Sequence, residues 1–151
     1  KTMPPLVIRM AFKILYRMCE RGGYSSEALL AVMAIGEDIA FPITNFFGDI
    51  VQFNGSNPSG HPLTVIINSL ANSLYMRYAY YVLNPQKDLL TFKHHVALFT
   101  YGDDNICGVS IECAFFTHTG IQAALAECGI RYTMADKEAE SVPFINICDS
   151  T

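Results

Sequence analysis

Apolar residues recur at Leu6, Met10, Ile14 and Met18 within PPLVIRMAFKILYRMCE, residues 4 to 20. That spacing predicts a helix, with prolines suited to its first turn and RGG as its stop. SSEALLAVMAIGED, residues 25 to 38, opens with Ser and Glu and continues apolar, the pattern of a second helix. From Ile39 to Phe53 the residues favour strands, and FFGDI supplies a turn, so a short hairpin is expected. NGSNPSGHP, residues 54 to 62, is dense in turn formers and reads as a loop. A long helix is predicted over 62 to 83, with Pro62 near its first turn. In HHVALFTYGDDNICGVS, residues 94 to 110, two apolar runs flank a glycine and two aspartates, which predicts a second hairpin. ECAFFTHTGIQAALAEC, residues 112 to 128, reads as a further helix ended by Gly129, and IRYTM, residues 130 to 134, as a strand.

Helices interleaved with hairpins predict an α+β fold, in which helices pack on a small antiparallel sheet. The 151 residues suffice for one core, and neither a repeat nor a linker marks a second domain. A balance of 51% hydrophobic and 16% charged residues excludes disorder. The five cysteines, Cys19, Cys107, Cys113, Cys128 and Cys148, form no CxxC pair and suit neither a disulfide framework nor zinc. They read as reduced thiols, with Cys107 and Cys113 as small core residues. The span 62 to 83 carries Asn68, Ser69, Asn72, Ser73 and Arg77, too many polar groups for a transmembrane helix, and charge interrupts the first apolar run where a signal peptide would need none. A net charge of −4 means that any basic surface for nucleic acid has to be supplied elsewhere.

The candidate chemistry sits at the second hairpin. Asp103 and Asp104 would face opposite ways in an extended strand, but Gly102 supplies a turn at which both carboxylates can approach one space. Two adjacent carboxylates resist ionising together unless a cation lies between them, and hard Mg²⁺ or Mn²⁺ is the natural partner. A solvated turn is the plain alternative, since Gly-Asp is ordinary turn chemistry. On the long helix Thr64, Asn68 and Asn72 recur every fourth residue, a polar stripe on an otherwise apolar helix. Ser59 and Gly60 lie in the loop that leads into that stripe, as a substrate-contacting loop would. Small polar residues also line packing seams, so the stripe has a structural reading as well.

SGHPLTVIINS followed by YGDD resembles motifs B and C of the RNA-dependent RNA polymerases of picorna-like positive-strand RNA viruses, the dicistrovirus and marine RNA virus group above all. CGIRYTMADKEAES resembles motif D, with its lysine at Lys137. The resemblance covers nearly the whole chain. It implies the palm subdomain of a right-hand polymerase with part of the fingers, as one partial domain over residues 1 to 151. Asp103 and Asp104 would then be catalytic and bind the metals, two Mg²⁺ or Mn²⁺ ions. Ser59, Gly60, Thr64 and Asn68 would bind the nucleotide and read its ribose, and Lys137 would be the general acid to pyrophosphate. The implied activity is template-directed transfer of nucleotides from nucleoside triphosphates to an RNA 3′ end. The implied partners are template and primer RNA, nucleoside triphosphates and the rest of the viral polyprotein. The implied place is the host cytoplasm, in membrane-associated replication complexes.

Motif A, motif E, the remaining fingers and the thumb have no counterpart here, and residues 1 to 37 contain no aspartate. An aspartate is therefore expected within a few residues upstream of Lys1, and this piece alone is expected to be inactive and to expose apolar surface. A reverse transcriptase-like palm is the first alternative, disfavoured because a DNA-building enzyme gains nothing from reading a 2′-hydroxyl. A non-catalytic, cation-binding interaction domain is the second. His94 and His95, adjacent in the chain, make a poor chelate and read as structural or surface residues. His61 takes no role. Tyr75, Tyr78, Tyr80 and Tyr81 have a packing reading and a base-stacking one. Arg77 and Arg131 are too isolated to assign to phosphates.

Overall fold

Pro4 caps the first helix with extended backbone and Pro5 occupies its first turn, where a missing N–H costs nothing. This helix, α1 (Pro5–Arg21), begins the chain in a computed structural model that describes residues 3–145. It buries Ile8, Ala11 and Phe12, whereas Leu6 is 69% and Met18 61% exposed. The expected stripe is therefore rotated: the face carrying Leu6, Met10 and Met18 looks outward, and the i, i+3, i+4 set from Ile8 makes the core. Ser25 caps α2 (Ser26–Ala40) by accepting the Ala28 N–H. Ile39 and Ala40 belong to this helix rather than to the hairpin after it. A Cβ on Gly36 would stand 2.7 Å from the Phe12 ring, so glycine is what lets α2 lie against α1.

The hairpin follows as β1 (Ile43–Phe46) and β2 (Asp49–Gln52), antiparallel and pairing Ile43 with Gln52. Phe47 and Gly48 both have positive φ, 53° and 102°, as a type I′ turn requires. The long helix is α3 (Thr64–Leu83), and a short helix α4 (Phe92–His95), not anticipated from the sequence, precedes β3 (Val96–Tyr101). His94 and His95 thus close a helix rather than open a strand. β4 (Asp104–Val109) pairs with β3, so among the described residues the expected single sheet is two separate two-stranded sheets, and the α+β class stands.

The helix expected over 112 to 128 is divided. A 3₁₀ turn (Ile111–Cys113) comes first, and α5 (His118–Ala126) starts only after Thr117, whose hydroxyl accepts the Gly120 N–H. Buried Phe116 occupies the break. Residues 130 to 134 form no strand. The Tyr132 carbonyl is instead bonded by the Gln122 side chain at 2.9 Å, a side-chain partner in place of a neighbouring strand.

Two compact units result. The first comprises Lys1–Asn72 with Thr100–Asn105, and its core is Ile8, Ala11, Phe12, Ile39, Ala40 and Ile67. The second comprises Ser73–Phe99 with Ile106–Thr151. Its core is built around Met76, Tyr80, Phe92, Phe116 and Leu125, each side chain worth about 1.5–3 kcal/mol when fully buried. Tyr80 meets Phe92 and Phe116 edge-on at 5.1 and 5.3 Å. This favours the packing reading at Tyr80, while Tyr78 and Tyr81 are exposed. Cys113 is buried, and burial pushes the Cys107 thiol up, as small core residues would show. Arg77 lies over the Phe92 ring at 4.6 Å, a cation–π contact within this unit. Among the described residues no helix is long and apolar enough to cross a membrane.

Candidate functional site

The turn joining β3 to β4 consists of Gly102 and Asp103, and Asp104 opens β4. Gly102 has φ 58° while Asp103 has negative φ, the signs of a type II′ turn with glycine at its first central position. Both aspartates are exposed. Paired oxygen donors in water suit a hard divalent cation. Among the described residues no group of three or more His, Cys, Asp or Glu side chains gathers that could hold a metal ion.

The main chain of the turn is held by α3. The Asn72 Nδ2 group donates to the carbonyls of Gly102, Asp103 and Asp104 at 3.3, 2.9 and 3.1 Å. Asn105 Nδ2 in turn donates to Asn72 Oδ1 at 2.9 Å. One helical turn earlier Ser69 Oγ accepts the Gly102 N–H at 2.8 Å and donates to the Val65 carbonyl at 2.7 Å. Ser69 and Asn72 are three apart and so are neighbours on one helix face.

The loop residues picked out from the sequence lie in the same unit as the turn. Ser59 and Gly60 are exposed, and Gly60 has φ 82°, a conformation that favours glycine. Thr64, the first residue of α3, donates its hydroxyl to the Pro58 carbonyl at 2.8 Å. Asn68 is half-buried and accepts at Oδ1 from Asn57 Nδ2 at 2.9 Å, which leaves its own N–H groups to donate elsewhere. Asn57 also donates to the Thr64 carbonyl at 3.2 Å, so one side chain ties the loop to both polar positions of the helix.

Lys137 is exposed in a tight turn of the second unit, where the Asp136 carboxylate accepts the Glu138 N–H at 3.1 Å. His95 faces Glu112 at 3.5 Å, and His61 Nδ1 accepts the Leu63 N–H, so both histidines have local structural partners. Asn72 lies on the polar stripe legible in the sequence, whereas nothing in the local pattern marks Asn57, Ser69 or Asn105 as bonded to these groups. The four-residue recurrence through Asn72 was the available signal; what the amide reaches was not.

A family model described as viral RNA-dependent RNA polymerase matches residues 1–149. The chain is 34% identical over 146 residues to the RNA1 polyprotein of Grapevine chrome mosaic virus, covering 93% of this chain and 6% of that polyprotein. It is 36% identical over 123 residues to the RNA1 polyprotein of Cherry rasp leaf virus, covering 76% of the chain and 5% of the polyprotein. The replicase polyprotein of Cricket paralysis virus is 27% identical over 127 residues, covering 80% and 7%. The chain thus spans less than a tenth of the length of these relatives, all polyproteins of picorna-like viruses.

Proposed function

Because the chain belongs to the viral RNA-dependent RNA polymerase family, we propose that it is the palm portion, with part of the fingers, of an enzyme that extends an RNA 3′ end on an RNA template. The observation that carries this reading is the exposed Asp103–Asp104 turn within the same compact unit as Ser59, Gly60, Thr64 and Asn68. A site that joins nucleotides has to hold metal-bound phosphates and a ribose together, and these are the two sets of groups that the unit contains.

Asp103 and Asp104 would hold two Mg²⁺ or Mn²⁺ ions, which when bound offset phosphate charge and ease loss of the 3′-hydroxyl proton. Ser59 and Gly60 form the exposed lip of the nucleotide site, and Thr64 joins that loop to the helix through the Pro58 carbonyl. Asn68 donates from Nδ2 to the ribose 2′-hydroxyl, the group that separates RNA from DNA building blocks. Lys137 gives a proton to the departing pyrophosphate. The remaining metal-binding carboxylates and the basic channel for template and primer come from other parts of the polyprotein, so the 151 residues alone are inactive. The complete enzyme works in the host cytoplasm on membrane-associated replication complexes.

The test is primer extension by the complete polymerase from the parent reading frame, with and without Asp103→Asn. Incorporation of ribonucleotides in preference to deoxyribonucleotides, abolished by the substitution with folding retained, supports the reading. Preference for deoxyribonucleotides would instead indicate a reverse transcriptase, and incorporation unchanged by Asp103→Asn would leave the acidic turn as a cation-binding element without catalytic work.

A further inference from the structure

We propose that Asn72 is a positioning residue that sets the geometry of the Asp103–Asp104 turn, with Ser69 and Asn105 as its supports; the catalytic part of this inference rests on the polymerase reading above. In a two-residue hairpin the central peptides commonly face solvent and can rotate. Here three successive carbonyls, of Gly102, Asp103 and Asp104, converge on one side-chain amide. Only two protons are available for the three acceptors, so at least one is shared. Asn72 is 9% exposed, which removes water as a competing donor. Asn105 occupies Asn72 Oδ1 and fixes which end of the amide faces the turn. Ser69 takes the one amide proton on the opposite edge, that of Gly102. The backbone that carries both carboxylates is therefore tied to α3 at four points.

The chemistry of the tie suits its place. Two like charges on adjacent residues repel, and arrival of a cation reverses the local field, so an untethered turn would reorganise each time. An amide supplies donors without charge. A lysine at this position would compete with a metal for the carboxylates, and an aspartate would set a third negative group against three carbonyl oxygens. Misplacing a catalytic group by about 1 Å costs roughly 100-fold in rate, which is the scale of effect expected when the tie is cut.

The experiment uses the complete polymerase with Asn72→Asp, which preserves shape and removes the donor, and Ser69→Ala, which removes one acceptor from a helix-compatible site. Three quantities are read: kcat and KM for nucleotide, affinity for Mn²⁺ by paramagnetic relaxation, and hydrogen exchange at the Gly102 amide. Asn72→Asp is expected to lower kcat about 100-fold with KM for nucleotide unchanged, to weaken Mn²⁺ binding, and to speed Gly102 exchange. Ser69→Ala is expected to shift the same quantities in the same direction by less. Wild-type kcat and Mn²⁺ affinity in folded Asn72→Asp, or a change confined to KM, overturns the proposal. If Asn72→Asp does not fold, Ser69→Ala decides: faster Gly102 exchange with weaker Mn²⁺ binding supports the tie, and unchanged values refute it. A wild-type protein unable to extend RNA would refute the polymerase reading, while Mn²⁺ affinity and Gly102 exchange in the variants would still judge the positioning role.

Discussion

The side-chain Nδ2 of Asn72 lies 2.9 Å from the main-chain carbonyl of Asp103, thirty-one residues further along the chain. Through this contact the orientation of an acidic turn depends on a helix that carries no acidic residue. The same helix begins with Thr64 and Asn68, which are joined to the loop before it. The loop before the helix and the acidic turn are thus both bonded to α3, and a shift of α3 would disturb both.

Gly55→Ala is expected to destabilise the loop by about 2–5 kcal/mol, adding the cost of positive φ to that of overpacking. Gly55 has φ 80°, and a Cβ there would stand 2.1 Å from the Met3 carbonyl, which accepts the Ser56 N–H. Hydrogen exchange at Ser56 should speed up accordingly, and unchanged protection would show that the chain start does not pin this loop.

Asn57→Ala should weaken ribose selection. Asn57 orients Asn68 by donating to its Oδ1. Loss of a hydrogen bond worth about 1 kcal/mol would lower discrimination between ribonucleotides and deoxyribonucleotides roughly fivefold. Competition between the two substrates in primer extension measures this directly, and Asn57→Ala with wild-type discrimination would show that Asn68 needs no orienting partner.

Acid should loosen the packing of α1 on α2. Arg9 Nε donates to Glu37 Oε1 at 2.8 Å and its second nitrogen meets Oε2 at 2.5 Å. This hydrogen bonding holds the Glu37 carboxyl below its ordinary value. A depressed folded-state value means that the stabilisation is present above the unfolded glutamate pKa of about 4.3 and is lost as pH falls through the lower folded value. The pair is exposed, so the effect is small. Glu37→Gln should flatten the acid limb of a melting-temperature profile, and an identical limb would assign it to other groups.

Tyr80→Phe is expected to cost about 1 kcal/mol, by removal of the hydrogen bond between its hydroxyl and Thr91 Oγ1. Tyr80→Ala should cost roughly 3–5 kcal/mol by emptying the space among Phe92, Phe115 and Phe116. Thermal melts of the two variants compare these losses. Equal shifts would mean that the ring contributes little beyond its hydroxyl.

The loss of the IRYTM strand shows where local patterning stops being informative. β-branched and aromatic residues suit an extended chain, but a strand exists only where a neighbour accepts its ladder, and here a glutamine side chain takes the Tyr132 carbonyl. The rotated face of α1 has a similar origin. Two apolar stripes, one through Met10 and one through Ile8, Ala11 and Phe12, run along the same helix, and Gly36 on α2 opens space for the second at Phe12.

What the sequence by itself determined was local or motif-borne: two amphipathic helices, turn-rich loops, a glycine that turns the chain at two adjacent aspartates, and the motifs that mark the family. Those features depend on residues within a few positions of one another, whose steric and hydrogen-bonding preferences are read directly from the chain. Only the tertiary structure decided which face of α1 is buried, where α5 begins, and that Asn72 and Ser69 bond the turn backbone while Asn57 bonds Asn68. A side-chain amide can serve any acceptor within about 3 Å, and which acceptor comes that close across thirty residues is settled by how helices and hairpins pack.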